Sequence, residues 1–140
     1  LQKFTKKQIS YTLCNIHESG RFELLIIGVC DLFDHRAELG LNASLNDVRP
    51  GGKPKAGATR YRHYTDLLAN DAIDAVIIAT PDHWHSRISV AAAKAGKHVY
   101  CEKGMTRTFD EAVEMYDAVK ENGITFCIYK MNQIKYLLKV

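Results

Sequence analysis

The 140-residue sequence lacks the features that would indicate a membrane, nucleic-acid or zinc protein. Its longest apolar run, Leu24 to Cys30, is far too short to span a bilayer. The net charge of +3 is too small to indicate a nucleic-acid partner, because duplex binding needs a clustered basic face. The 4 cysteines form no CxxC pair, so no metal site is expected. We interpret them as small buried hydrophobes in a reducing compartment.

The beginning of the chain also lacks two common features. Basic residues occur in Leu1 to Gln8, but no apolar segment follows them, so no signal peptide is predicted and a cytoplasmic location is expected. An initiator methionine is absent, from which we expect the chain to begin inside a longer gene product. The length fits one domain, and no repeat of fixed period is visible.

Apolar runs and helically spaced apolar residues alternate along the chain. The runs predict strands over Phe22–Cys30, Thr59–Tyr61, Ala75–Ala79, Lys97–Cys101 and Ile124–Ile128. The spacing predicts helices over Gln8–His17, Leu32–Leu45 with an interruption at Gly40, Tyr64–Leu68, His85–Ala95 and Thr108–Glu121. This alternation predicts an α/β fold with a doubly wound parallel sheet, in which ligands bind at the carboxyl ends of the strands.

Local signals mark the ends of some of these elements. Gly20 is suited to the left-handed position after the first helix, and Asp47 to Gly57 has the composition of a surface loop. Thr108 and Glu111 have the spacing of a capping box, and Gly123 is expected to end that helix. One apolar face is predicted for the same helix, made of Phe109, Ala112, Val113, Tyr116 and Val119.

Asp31 closes the first predicted strand. In a dinucleotide-binding fold, a carboxylate at such a strand end accepts hydrogen bonds from the adenosine ribose hydroxyls and repels a 2′-phosphate, which favours NAD over NADP. Arg36 softens that preference, since a nearby arginine can hold a 2′-phosphate. The alternative is that Asp31 caps the next helix, whose positive end favours a carboxylate.

The strand over Ala75–Ala79 is followed by the segment Thr80-Pro81-Asp82-His83-Trp84-His85. Pro81 fixes its own φ and holds Thr80 extended, which shapes a tight turn at the ligand edge of the sheet. Two imidazoles without a third ligand of suitable spacing make metal binding the weaker interpretation. The structural alternative is N-capping by Asp82, with Trp84 packed on the next helix.

The strand over Lys97–Cys101 runs into Glu102 and Lys103. At a strand's carboxyl end, Glu102 could accept a hydrogen bond from a ribose hydroxyl, and Lys103 could act as a proton donor or electrostatic anchor at the reacting carbon's oxygen. The alternative is a solvated ion pair that contributes little to stability.

Together these segments resemble the Gfo/Idh/MocA family, which includes glucose–fructose oxidoreductase, inositol dehydrogenase and MocA-like proteins. The resemblance rests on Asp74 to His85 and on Ala91 to Lys103, and it extends over about Arg21 to Ile128. It implies a Rossmann-like domain over residues 1–128, with residues 129–140 as a tail or the start of a missing substrate domain. It also implies an NAD(P)-dependent oxidoreductase acting on a sugar, cyclitol or related polyol.

The resemblance assigns roles to residues of this chain. Asp31 would hold the adenosine ribose, and Glu102 would contact the nicotinamide ribose. Lys103 would match the family's active-site lysine beside nicotinamide C4. The residues expected to line the cofactor pocket are Thr80, Pro81, Asp82 and His85, with His83 and Trp84 from the same segment. NAD is the expected cofactor, with NADP as the alternative, and the full-length parent is expected to be a homo-oligomer.

The chain departs from the family pattern at three places. Gly104 stands where the family's Glu-Lys motif continues with proline. The GxGxxG phosphate-binding turn and the strand before it are absent, so we interpret Gln8 to His17 as the remainder of the helix that should follow that turn. The substrate domain is missing. Two alternatives therefore stay open beside the enzyme: a non-catalytic nucleotide-binding or regulatory module of the same fold, and an NAD-dependent glycosidase.

Overall fold

The computed structural model describes residues 11–17, 23–45 and 57–128. They form six strands and four helices in an α/β arrangement. The strands are β1 (Tyr11–His17), β2 (Glu23–Cys30), β3 (Thr59–Tyr61), β4 (Ala75–Ile78), β5 (His98–Cys101) and β6 (Phe126–Ile128). The helices are α1 (Asp34–Ser44), α2 (Tyr64–Leu68), α3 (His85–Lys94) and α4 (Phe109–Asn122), with a 3-10 turn over Asp82–Trp84. None of the helices in these ranges is long and apolar enough to cross a membrane.

The six strands form one sheet in the order β3-β2-β1-β4-β5-β6. Three neighbouring pairs, β2 with β3, β4 with β5, and β5 with β6, are parallel. The predicted α/β fold class is confirmed, and helices separate these parallel strands along the chain. The sheet is mixed rather than wholly parallel, however, because β1 runs antiparallel to both of its neighbours.

The predicted helix over Gln8–His17 is wrong for the part that the structure describes. Tyr11–His17 is a strand that pairs with β2 from Thr12 opposite Val29, and with β4 from Tyr11 opposite Ile78. The physical reason is that β2 and β4 would otherwise each leave a row of backbone groups unpaired in the middle of the sheet. Pairing on both sides therefore overrides the local helical spacing.

Helices cover both faces of the sheet, as the doubly wound prediction requires. Adjacent residues of a strand point to opposite faces of the sheet, so Val29 and Cys30 of β2 show which helices cover each face. The Val29 side chain lies against α1, whereas Cys30 belongs to the main apolar core together with Leu67 of α2. That core continues along β4 and β5 under α3 and α4, with buried members Val76, Ile78, Ile88, Val99 and Met115.

Gly40 lies inside α1 without interrupting it, which corrects the expectation of a broken helix. A Cβ at this position would lie 2.6 Å from Cγ1 of Val29, so the glycine permits close packing of α1 on β2. We expect Gly40→Ala to destabilise the fold by about 1–3 kcal/mol through overpacking, which outweighs the roughly 1 kcal/mol that alanine gains in helix propensity.

Urea unfolding measures this effect, and a second background isolates its cause. In a Val29→Ala background the contact is gone, so the same Gly40→Ala change is expected to stabilise the protein. Equal destabilisation in both backgrounds would contradict the packing explanation.

The amino end of α4 agrees with the sequence prediction. The Thr108 hydroxyl accepts a hydrogen bond from the Glu111 amide at 3.2 Å, and the Glu111 carboxylate accepts one from the Thr108 amide at 3.3 Å, so the capping box is confirmed. Gly123 ends the helix in the left-handed conformation, with φ of 63°.

The predicted apolar face of α4 is wrong in part. Phe109 is 81% exposed, and Val113 and Tyr116 are also exposed. Met115 and Ala118 are buried instead, because α4 packs against α3 along their side of the helix. Other expectations lie outside the described residues: the Gln8–Ser10 part of the first helix, Gly20, most of the loop from Asp47, and the tail over residues 129–140.

Candidate cofactor site

The carboxyl edge of the sheet, defined here by Asp31, Thr80 and Glu102, collects most of the predicted site residues. Asp31 follows β2, Thr80 follows β4 and Glu102 follows β5. β1 lies between β2 and β4, so a spacing of about 4.8 Å per strand places the ends of β2 and β4 about 10 Å apart. β4 and β5 are direct neighbours, and the Glu102 amide donates to the Ile78 carbonyl at 2.8 Å.

Asp31 is buried, with 5% of its surface exposed. Its Oδ1 accepts a hydrogen bond from the Phe33 amide at 2.9 Å, just before α1 begins. Its Oδ2 is buried and has no hydrogen-bond partner among the described residues. The capping alternative does not describe Asp31, because the N-cap of α1 is Phe33 and no side-chain capping bond is formed there. One oxygen of Asp31 holds the turn before α1, and the other remains available to a ligand hydroxyl. A buried carboxylate oxygen without a donor is costly, and a ribose hydroxyl would remove that cost.

Basic side chains surround the start of α1 beside Asp31. The Arg36 guanidinium lies 5.0 Å from the centroid of the Phe33 ring, in a cation–π contact. Arg60 and Arg62 both donate to the Asp34 carboxylate, and the Arg62 bond measures 3.3 Å. The hydrogen bond from Arg60 is the main reason that the pKa of Asp34 lies below its usual range.

Sequence reasoning missed Arg60 and Arg62. The available signal was their position, since Arg60 lies within the short predicted strand over Thr59–Tyr61 and Arg62 directly follows it. Parallel strands end at the same edge of a sheet, so the end of β3 had to lie beside the end of β2.

Thr80 and Pro81 form the turn after β4, as predicted. Pro81 has φ of −56° and ψ of 142°, and its carbonyl accepts a hydrogen bond from the Trp84 amide at 2.9 Å. The Thr80 hydroxyl oxygen is buried and has no hydrogen-bond partner among the described residues. The carboxyl edge thus presents a second polar atom, two strands from Asp31, that is shielded from water and unpaired.

The 3-10 turn places three of the predicted residues near the surface. Asp82 and His83 are exposed, and their side chains lie 3.9 Å apart at the closest charged atoms. Trp84 is half-buried, and its ring lies beneath the Arg87 guanidinium at 5.4 Å. No side-chain capping bond is formed by Asp82, so the N-cap alternative does not describe this turn. The described residues contain no group of three or more potential metal ligands.

His85 lies between the turn at Thr80 and the loop that follows β5. It is the first residue of α3, its surface is 1% exposed, and both ring nitrogens contact main-chain carbonyls. Nε2 lies 2.8 Å from the Thr80 oxygen, and Nδ1 lies 2.6 Å from the Gly104 oxygen. These contacts engage both ring nitrogens, and the cofactor-lining role of His85 stays a prediction.

Glu102 and Lys103 follow β5 at the carboxyl edge, where they were expected. Glu102 is half-buried and Lys103 is exposed, and no ion pair between the two side chains occurs among the described contacts. The Lys103–Gly104 peptide bond is cis. Cys101 precedes them inside the core, where burial raises the pKa of its thiol to about 11, so this sulfur stays protonated and unreactive near neutral pH.

Comparison with known proteins gives the family. Residues 15–130 match the Gfo/Idh/MocA family, described as an oxidoreductase family with an NAD-binding Rossmann fold. The chain belongs to this family, as the sequence resemblance implied.

Individual relatives agree with this membership. Levoglucosan dehydrogenase from Pseudarthrobacter phenanthrenivorans is 45% identical over 65 residues, which are 46% of this chain and 17% of that protein. Among solved structures, myo-inositol 2-dehydrogenase from Lactobacillus plantarum has a TM-score of 0.60 at 27% identity, over 74% of this chain and 28% of that one. The WlbA dehydrogenase from Bordetella pertussis, in complex with NADH and UDP-GlcNAcA, has a TM-score of 0.65 at 25% identity, over 77% and 28% of the two chains. The chain thus spans less than a third of each of these relatives.

Proposed function

We propose that the chain is the dinucleotide-binding part of an NAD(P)-dependent oxidoreductase that moves a hydride between nicotinamide and a carbon of a sugar, cyclitol or related polyol. One observation carries the proposal. The carboxyl edge holds two buried polar atoms without a partner among the described residues, Asp31 Oδ2 and Thr80 Oγ1. They lie where ligands of doubly wound sheets bind.

The proposed roles follow the positions of the side chains along this edge. Asp31 accepts a hydrogen bond from the adenosine ribose, and Thr80 with Pro81 and the following turn borders the cofactor. Glu102 contacts the nicotinamide ribose, and Lys103 holds or donates a proton at the oxygen of the reacting carbon. The bound nicotinamide supplies the hydride acceptor or donor.

NAD is proposed over NADP. The remaining oxygen of Asp31 is negatively charged and would repel a 2′-phosphate. Among the described residues, the cations near Asp31 are engaged elsewhere, because Arg36 stacks on Phe33 while Arg60 and Arg62 bind Asp34.

The remaining features of the protein are proposed from the family. Residues 1–128 would form the dinucleotide domain, and residues 129–140 would be a tail or the start of a substrate domain. Named relatives include dehydrogenases for levoglucosan, D-xylose and myo-inositol, which supports a sugar or polyol substrate. A cytoplasmic location fits the free thiols of Cys30, Cys101 and Cys127, and a homo-oligomer is proposed for the full-length protein.

A second candidate function is nucleotide binding without catalysis. The direction of β1 argues against a complete catalytic cofactor site, because its carboxyl end, His17, lies opposite Glu23 at the other edge of the sheet. A helix amino end that directly follows β1 therefore cannot face Asp31 and Thr80. The sequence also contains no GxGxxG, so the usual backbone anchor for a pyrophosphate is not available in this chain.

Calorimetric titration of this chain with NAD and with NADP tests the proposal. We expect both to bind, with NAD the tighter ligand because of the Asp31 carboxylate. Absence of binding by either at millimolar concentration would overturn the proposed function of the chain. Binding without hydride transfer by the full-length protein would support the second candidate.

A further inference from the structure

His85 lies at the junction of the two loops that carry the candidate site. The loop after β4 contains Thr80, and the loop after β5 contains Lys103 and Gly104. The imidazole contacts both loops, through Nε2 to the Thr80 oxygen at 2.8 Å and through Nδ1 to the Gly104 oxygen at 2.6 Å.

Both partners of the ring are main-chain carbonyls, which only accept hydrogen bonds. A neutral imidazole has a single N–H, so it donates to one of them at a time. Each carbonyl accepts a hydrogen bond from the ring when the nitrogen that faces it carries the proton. The ring is shielded from water, so neither carbonyl can readily exchange it for solvent.

We infer that His85 is a positioning residue. Its ring holds the turn at Thr80 and the peptide bond that follows Lys103 together. It thereby fixes the position of Lys103 relative to the carboxyl edge of the sheet. The inference rests on the proposed function, because it assigns His85 a role at the proposed site. It gives a role to a histidine that is buried at the start of α3. Gly104, which stands in place of the family's proline, has its carbonyl held by this side chain.

Amide hydrogen exchange of the intact 140-residue chain tests whether His85 holds the two loops together, and it needs no cofactor. The Trp84 amide, bonded to the Pro81 carbonyl, reports on the first loop. The Glu102 amide, bonded to the Ile78 carbonyl, reports on the second. The Lys97 amide, bonded to the Ala92 carbonyl at the opposite edge, reports on changes of overall stability.

Three variants separate the two bonds. The amide nitrogen of asparagine lies near the position of Nδ1, and that of glutamine near the position of Nε2. We expect His85→Ala to speed exchange at both reporter loops by about 2- to 10-fold, as for loss of a hydrogen bond. His85→Asn is expected to restore protection at Glu102 alone, and His85→Gln at Trp84 alone. His35→Gln, a change at an exposed histidine of α1, is the matched control and should leave both amides unchanged.

The outcomes are distinct. Exchange at both loops equal to that of the wild type in all three His85 variants would overturn the inference. So would equal acceleration at the two loops and at Lys97, which indicates a general loss of stability. If His85→Ala does not fold, the opposite patterns of the asparagine and glutamine variants still decide the question.

The experiments distinguish failure of the inference about His85 from failure of the proposed function. If the wild-type chain binds no NAD but the His85 variants show the expected exchange pattern, the inference about His85 holds and the proposed function fails. In a full-length protein with turnover, His85→Ala should lower kcat more than it raises KM, because Lys103 acts in the transition state.

Discussion

Replacing Lys103 by alanine is expected to lower turnover of the full-length protein by about 10²- to 10⁴-fold while cofactor binding is retained. Lys103 follows β5 at the carboxyl edge, and its side chain is exposed where a substrate could approach. Loss of its ammonium group would remove the proton donor proposed for the reacting oxygen. Absorbance of the reduced nicotinamide measures turnover, and calorimetry measures the dissociation constant of NAD.

Lys94 supplies the matched control for this change. It is an exposed lysine at the end of α3, so Lys94→Ala should leave turnover and NAD binding close to those of the wild type. Unchanged turnover in Lys103→Ala would refute the catalytic role. Equal loss of turnover and of NAD affinity would instead make Lys103 a binding residue.

Replacing Asp31 by asparagine is expected to weaken NAD binding by roughly 10- to 100-fold, the usual worth of a hydrogen bond to a charged group. Asparagine retains an oxygen that can accept from the Phe33 amide, so the start of α1 should be preserved. The second carboxylate oxygen is replaced by an NH₂ group, which cannot accept a hydrogen bond from the ribose. The ratio of NADP to NAD affinity should rise, because the charge that repels a 2′-phosphate is removed.

Asp71→Asn controls for the loss of one negative charge. Asp71 is exposed in the segment before β4, at the opposite edge of the sheet, and the change should leave the affinity for NAD unaltered. Thermal unfolding of both variants checks that the fold is intact. Equal affinity of the Asp31→Asn variant and the wild type for NAD would show that the unpaired oxygen does not hold the ribose.

Much of the fold follows from local signals that tertiary contacts did not override. The turn from Thr80 to Trp84 and the end of α4 were predicted because proline, a capping box and a left-handed glycine act within a few residues. β1 could not be predicted in this way. Its place depends on pairing with residues 6 to 67 positions away along the chain. Its own spacing indicates a helix equally well.

The location of the candidate site residues at one edge of the sheet could also be predicted from the sequence. A carboxylate or a Glu-Lys pair at the end of an apolar strand is visible in the sequence, and parallel pairing brings such ends to one edge. The partners of His85 are not visible, because main-chain carbonyls occur at every position and only the folded loops select Thr80 and Gly104. Burial of its ring and its two carbonyl contacts are the basis of the positioning role inferred for it.

The central claim is that the carboxyl edge of the sheet holds the dinucleotide, and amide NMR during a titration of the chain with NADH tests it most directly. The account predicts that the amide chemical shifts of Asp31, Thr80 and Glu102 change and saturate together. The chemical shift of the Lys97 amide, at the opposite edge, should not change. No shift at millimolar NADH, or shifts confined to the opposite edge, would contradict it.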